Sequence, residues 1–310
     1  MGLPPKKAEE ETPARQSRPT PATPVVGAAI TAYREFEHLK RCLVSGRGQW
    51  DFAVVVDNGD DVETREGLHT FPRVYRIAGS PQYWWTHGTN IAIRECMRIG
   101  CDYILLVNAD LELAPSCVSE LIKTVAVNER CVAGSVVVDR LCPNTVYWAG
   151  GDWHRMFPAL PIVINRPLFK GTSVLDLPSQ PYEVNDVHGR GVLFPASVFR
   201  ECAFYDEDAF PHYGADMDYA FRIRNAGYRI LISPAARVRL DTHRNRNTVE
   251  ADLSIRERLA KLRQLVVDPK GREGLGMLWK FFRRHMSRTE VVPTFLAAAA
   301  HKLMKTIVSH

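Results

Sequence analysis

The segment Tyr103-Ile-Leu-Leu-Val-Asn-Ala-Asp-Leu-Glu112 closes an apolar run with Asn108, Asp110 and Glu112, three oxygen-bearing side chains separated by single residues. A hard divalent cation takes oxygen ligands and keeps water and substrate phosphates in the rest of its sphere, so a short acidic cluster at a strand end suits a metal–diphosphate complex. Asp110 is the first choice as ligand, with Asn108 and Glu112 beside it. The same spacing also fits an Asp turn leading to a helix cap near Ala114-Pro115. A second acidic turn, Asp57-Asn58-Gly59-Asp60-Asp61, follows the apolar run Phe52 to Val56. There a carboxylate can accept the imide N–H of a uracil or thymine ring, or close a tight turn. In the third, Gly214-Ala-Asp-Met-Asp218 opens a helical stretch that ends on Asn225-Ala-Gly227. Asp216 there either caps the helix or takes a proton from an acceptor hydroxyl.

Three further segments accompany these carboxylates. Pro81-Gln-Tyr-Trp-Trp-Thr-His-Gly-Thr-Asn90 places Trp84 and Trp85 next to a helix start, where they can stack on a base or sugar or belong to the core. His188-Gly-Arg-Gly-Val-Leu-Phe194 carries glycines that let a ligand approach the backbone. Leu240-Asp-Thr-His243 completes the set.

Strand ends must position these groups. Continuous apolar runs at Val25 to Thr31 and Phe52 to Val56 predict strands buried on both faces, and Arg73 to Ile77, Tyr103 to Val107, Val132 to Val138 and Tyr228 to Ser233 are further strand candidates. Helical patterns fall at Glu35 to Val44, Asn90 to Ile99, Pro115 to Val127 and Tyr219 to Asn225. The alternation predicts an α/β domain with a mainly parallel sheet flanked by helices, whose ligands sit beyond the carboxyl ends of the strands. Residues 139 to 182, rich in Pro, Gly and Trp, read as an irregular insertion facing the substrate.

In order and spacing, these segments resemble glycosyltransferase family 2 on the GT-A fold, particularly its bacterial rhamnosyltransferase-like members, over roughly Val25 to His243. The resemblance implies an inverting hexosyltransferase that moves a sugar from a UDP- or dTDP-linked donor to an acceptor hydroxyl in polysaccharide, cell-wall or glycolipid assembly. By it Asp216 is the catalytic base, and Asp110 with His243 holds Mn2+ or Mg2+. Thr31, Tyr33, Asp57, Trp85, Gly88, Asn90 and Asn108 line the donor side, and Arg190, Gly191 and Asp218 the acceptor side. Phe204-Tyr-Asp-Glu-Asp208 resembles the family's FDE turn. The chain departs from the family twice: Asn108 stands for the first Asp of the DxD motif, and Ala215 for the Glu before the base. Those departures suit a second reading, a catalytically silent nucleotide-sugar-binding module.

The 310 residues suit a domain at 25–248 with appendages: a disordered leader at 1–24, crowded with prolines, and a basic helical tail at 249–310. Residues 251–310 hold 12 Lys and Arg against 5 Asp and Glu, so the tail carries +7 of a chain whose net charge is +5. The remainder is slightly acidic, which removes the case for a nucleic-acid partner. In the tail Leu275, Leu278 and Phe282 share a helical face near Lys280, Arg283 and Arg284. That face suits an anionic membrane surface, or equally the catalytic domain or a second subunit. Seven scattered cysteines without a CxxC pair suit a reducing compartment, so the expected place is the cytoplasm, peripheral to the inner face of the plasma membrane. Thr31-Ala-Tyr-Arg34 replaces the glycine-rich phosphate loop that a dinucleotide oxidoreductase or a nucleotidyltransferase needs after its first strand.

Overall fold

The computed structural model describes residues 23–242, 263 and 274–308. The leader at 1–22, His243 and most of the tail up to residue 273 lie outside the described residues.

Four apolar runs form parallel strands in the order β3-β2-β1-β4: β1 (Val26–Ala32), β2 (Phe52–Asp57), β3 (Val74–Ala78) and β4 (Tyr103–Leu106). All six residues of β2 are buried, because α1 (Phe36–Gly46), α2 (Val62–Leu68) and α3 (Trp84–Ile99) are laid over the sheet. Alternation along each strand divides the core into two layers. Ala28, Ile30, Ala53, Val55 and Leu105 meet Leu39, Cys42 and Leu43 of α1. Ala29, Val54, Val56, Ile104 and Leu106 meet Ala92, Ile93 and Cys96 of α3.

Beyond β4 come β5 (Leu111–Leu113), α4 (Cys117–Ala126), β6 (Cys131–Asp139), β7 (Val146–Trp148), β8 (Gly151–Phe157), β9 (Leu160–Pro167), β10 (Tyr182–Val184), β11 (Val192–Pro195), α5 (Ala196–Glu201), α6 (Ala215–Asn225) and β12 (Arg229–Leu240). The main sheet runs β10-β12-β6-β11-β4-β1-β2-β3, with β5 added to β12 and β7 to β6. β11 lies antiparallel between β4 and β6, so the sheet expected to be mainly parallel is mixed. The chain enters β11 from the cleft end, out of Gly189-Arg190-Gly191, and from there it can only run against β4.

Three boundaries differ from expectation. The stretch expected to be irregular holds β7 and the antiparallel hairpin β8–β9. Its turn, Pro158-Ala159, lacks the Asn-Gly or Asp-Gly chemistry that marks hairpins in sequence. β12 continues past Pro234 because its pairing with β6 shifts register between Ser233 and Arg237, a bulge that accommodates the proline. α3 begins at Trp84, six residues before the expected Asn90, carrying Gly88 inside the helix.

The C-terminal helices are α7 (Leu275–His285) and α8 (Arg288–Val308). Of the outcomes open for the α7 face, packing on the catalytic domain is the one observed. Phe281 and Phe282 are buried, Phe281 lies against Trp153 and Phe221, and Met277 packs on Gly214. α8 lies along the hairpin, where Val163 N–H donates to Thr294 Oγ1 at 3.0 Å and Arg155 pairs with Glu290 at 2.8 Å. Among the described residues no helix is long and apolar enough to cross a membrane.

Candidate active site

The carboxyl ends of β1, β2 and β4 form one rim. Asp57 and the turn after β4 are separated by β1 alone, which places them roughly 10 Å apart at the usual strand spacing. From this rim a chain of contacts leads to Asp216. Asn58 Nδ2 donates to the Trp84 carbonyl at 2.6 Å, and Trp85 Nε1 donates to Asn108 Oδ1 at 3.0 Å. Gly189 packs so closely that a Cβ there would lie 2.8 Å from the Trp85 ring and 3.2 Å from Asp216 Oδ1. Thr31, Asn58, Trp85, Gly88, Asn108, Gly189 and Asp216 are thus neighbours in sequence of contacts, although 185 positions separate the first from the last.

Close backbone approach explains the glycines of this wall. A Cβ on Gly88 would stand 2.8 Å from Thr31 Cγ2 and 3.0 Å from Asn58 Nδ2. Trp84 takes φ +53, a left-handed conformation that a bulky residue adopts only where the surroundings impose it. Its strain turns the chain into α3 and aims Trp85 at Asn108. Trp85 is half-buried, edge-on to Tyr205 at 5.5 Å, so it belongs partly to the core and partly to the cleft.

Asp57 is fully buried and heavily engaged. Its Oδ1 accepts from the Gly59 and Asp60 N–H groups at 3.2 and 3.1 Å, and its Oδ2 accepts from Arg76 Nε and Nη2 at 3.1 and 2.9 Å. Arg76, from the adjoining strand β3, escaped the sequence reading because nothing local marks it as a partner of Asp57. Asp61 is the residue that caps α2, accepting from Thr64 N–H at 2.9 Å. Beside Asp57, Asn58 is 3% exposed and its Oδ1 has no partner.

Asp110 follows β4 in a turn, and its buried Oδ1 also has no partner among the described residues. It caps no helix; the residue before α4 is Ser116, without a side-chain capping bond. β4 ends at Leu106 and the chain turns before β5, and Asn108 meets Trp85 of α3. Glu112 faces Arg41 of α1 at 3.2 Å. Among the described residues no group of three His, Cys, Asp or Glu is arranged to hold a metal.

Asp216 sits in the first turn of α6, but the cap is Gly214, at φ +87, with no side-chain capping bond. Capping is therefore not the role of Asp216. Burial pushes its carboxyl up to about 7, Asp186 adds to the rise, and the Gly189 N–H and Arg190 oppose it. Its Oδ1 is buried without a hydrogen-bond partner among the described residues, beside a cavity of about 10 Å³ lined by His188, Tyr205 and Tyr219, room for no more than one water. Asp186, absent from the sequence reading, is a second buried carboxyl, raised by burial to about 6 against bonds from Asn165 and Trp153. Nothing in its local sequence sets it apart; its neighbours come from the hairpin. His188 stacks on Trp148 at 3.9 Å, and burial, followed by the charge of Arg190, lowers it to about 3, so the ring is neutral.

Two expected contacts are occupied within the protein. Asp218, expected on the acceptor side, is fully buried and accepts from Arg222 Nε at 2.9 Å, Arg284 Nη1 at 2.9 Å and His285 Nε2 at 2.8 Å. It ties α7 to α6. Asn90, expected on the donor side, is 1% exposed; its amide donates to the Tyr205 carbonyl and Glu207 and accepts from Tyr205 N–H. Thr31 shares a hydroxyl contact of 3.1 Å with Thr89, and Tyr33 is 49% exposed at the rim. Arg190 and Gly191 lie at the mouth of β11 next to Asp216.

Residues 28–201 match the family model described as Glycosyl transferase family 2. No curated protein matches the chain. Among solved structures, the crystal structure of GalNAc-T7 with UDP, GalNAc and Mn2+ is similar, with a TM-score of 0.55 and 13% identity over 94% of this chain. This chain spans 59% of the length of that one. The crystal structure of S. aureus TarS 1-349 has a TM-score of 0.46 and 12% identity over 92% of this chain and 81% of its own.

Proposed function

This chain belongs to glycosyl transferase family 2, with an α/β GT-A fold, and on that premise we propose that it moves a sugar from a nucleoside-diphosphate donor to an acceptor hydroxyl, inverting the anomeric carbon. The observation that carries this reading is Asp216. It is a carboxyl raised to about 7, with an unpartnered oxygen, at the start of a helix that it does not cap. A base with that affinity is half-ionised near neutral pH and takes a proton from a hydroxyl as the new bond forms, a contribution of typically about 10² to 10⁴ in rate. An inverting displacement needs one such base and no protein nucleophile.

The donor side is supported by the rim at Thr31, Tyr33, Asp57, Asn58 and Trp85. Asp57, locked by Arg76, holds the turn that presents Asn58, whose free Oδ1 suits an imide N–H. GalNAc-T7, of the same fold, was crystallised with UDP, GalNAc and Mn2+. A divalent cation fits Asp110, whose buried carboxylate oxygen has no partner among the described residues; waters and donor phosphates would fill the other positions, with His243 as a further candidate. When bound, such an ion offsets the negative charge of a leaving diphosphate. Asn108 positions Trp85, and Gly189 packs closely against Asp216.

The decisive experiment titrates UDP, dTDP and their sugars with Mn2+ or Mg2+ by thermal shift, then follows release of the nucleoside diphosphate. Stabilisation together with turnover supports the transferase. Stabilisation without turnover supports the silent binding module, and no stabilisation by any of them overturns the reading.

For the membrane we place the contact on α8, not α7. Val292, Leu296, Leu303 and Met304 are 51%, 61%, 39% and 59% exposed, and the first three share one face. Anionic liposomes are expected to sediment the wild type and to release a Leu296→Asp, Leu303→Asp variant.

A further inference from the structure

Arg190 is fixed at its backbone from both sides. Its N–H meets the His188 carbonyl at 2.7 Å, its own carbonyl accepts from Ser135 Oγ at 2.9 Å, and the next N–H, of Gly191, donates to the Leu106 carbonyl at 3.0 Å. Gly191 has φ +79, and a Cβ there would lie 2.5 Å from Ser135 Oγ, so the anchoring turn demands glycine. Such an anchor gives a half-buried arginine a defined direction. Its guanidinium nevertheless forms no ion pair or hydrogen bond with any described residue. It stands over the Tyr147 ring at 5.8 Å from the centroid. Lys170, from the loop after the hairpin, places its Nζ 5.9 Å from the same ring and likewise has no carboxylate partner among the described residues.

Among the described residues, neither of these two cations gathered on one tyrosine has a carboxylate within ion-pair distance. Guanidinium and ammonium groups so placed meet phosphate oxygens with charge-assisted hydrogen bonds. The location bears on whose phosphate this is. Tyr147 lies on β7, which pairs with β6, and four strand steps separate β6 from the Asp57 end of β2, roughly 19 Å at about 4.8 Å each. The cluster is therefore remote along the sheet from the rim assigned to the nucleobase. We propose that Arg190 and Lys170, gathered on Tyr147, form an anion subsite for a phosphate group carried by the acceptor. This rests on the transferase reading and names the class of its acceptor: a phosphorylated hydroxyl compound.

The test uses the full chain with its donor site filled by saturating UDP and Mn2+, with phenyl phosphate as probe and calorimetry as readout. Wild type is expected to bind phenyl phosphate in addition to UDP. Losing a charge-assisted bond should weaken the probe by about tenfold in Arg190→Gln and by several fold in Lys170→Gln, with UDP affinity unchanged. Lys170 is exposed, so its variant keeps the test open even if Arg190→Gln folds poorly. Binding of UDP without any binding of phenyl phosphate overturns the subsite alone. A tenfold loss of UDP affinity in Arg190→Gln with the probe unaffected also overturns it, and assigns the arginine to the donor. Failure of wild type to bind UDP or any other nucleoside diphosphate instead overturns the transferase reading.

Discussion

Replacing Asp216 by Asn should damage turnover and stabilise the protein at once, and the two effects share a cause. A carboxyl moved from its ordinary 3.8 to about 7 is penalised, in its ionised form, by about 4 kcal/mol relative to the unfolded chain. Because the folded value lies above the unfolded one, the neutral group's contribution to stability is complete below 3.8 and is lost as pH rises through about 7. At pH 8 the wild type bears the whole penalty, whereas the amide bears none. The gain for Asp216→Asn is then up to about 4 kcal/mol, on the order of 8–16 °C in melting temperature for a domain of this size, and it should vanish near pH 4. Melting curves of both proteins at pH 4 and pH 8, without nucleotide or metal, measure it. Turnover should fall by about 10² to 10⁴ while donor affinity is kept. Equal melting temperatures at pH 8 would show that the carboxyl is not held in the disfavoured state described, and near-wild-type turnover would remove it from the chemistry.

The wild-type rate should climb with pH through about 7 as Asp216 ionises, and an activity profile flat from pH 5 to 9 would contradict a base of this kind. Asp110→Ala should abolish the Mn2+-dependent part of UDP binding and leave the melting temperature nearly unchanged, since its free oxygen supports nothing in the protein; titration with and without EDTA reads this. Asp218→Ala strands Arg222, Arg284 and His285 and should cost about 3–5 kcal/mol in urea denaturation. Although burial acts to raise it, bonds from His285, Arg284 and Arg222 hold Asp218 below the usual carboxylate range. Its contribution is therefore present above the unfolded value near 3.8 and lost as pH falls through its lower folded value, so wild type and Asp218→Asn should converge in stability in strong acid. Gly191→Ala meets both a left-handed φ and Ser135, and should destabilise by about 1–3 kcal/mol while displacing Arg190.

Much of the parallel half was legible because the buried strands β1, β2 and β4 write themselves as apolar runs, and each run ends where polar residues begin the next turn. Phe52 to Val56 and Tyr103 to Val107 announced β2 and β4, and with them the turns that carry Asp57 and Asp110. The hairpin β8–β9 stayed hidden because its residues alternate weakly and its turn uses Pro158-Ala159. What covers the apolar face of α7 was left open because a helix declares an apolar stripe but not its partner.

Residue type alone determined which groups can bear charge, accept an imide proton or ligate an ion, and spacing determined that they stand at strand ends and a helix start. Only the tertiary structure decided which of them remain available. Asp57 is neutralised by Arg76 from the next strand, Asp218 by His285 from 67 positions away, and Asp216 is left with a free oxygen under Gly189. The physical reason is range: propensity and capping act over a few residues, whereas the cost of burying a charge depends on whatever the fold brings within a few ångströms of it.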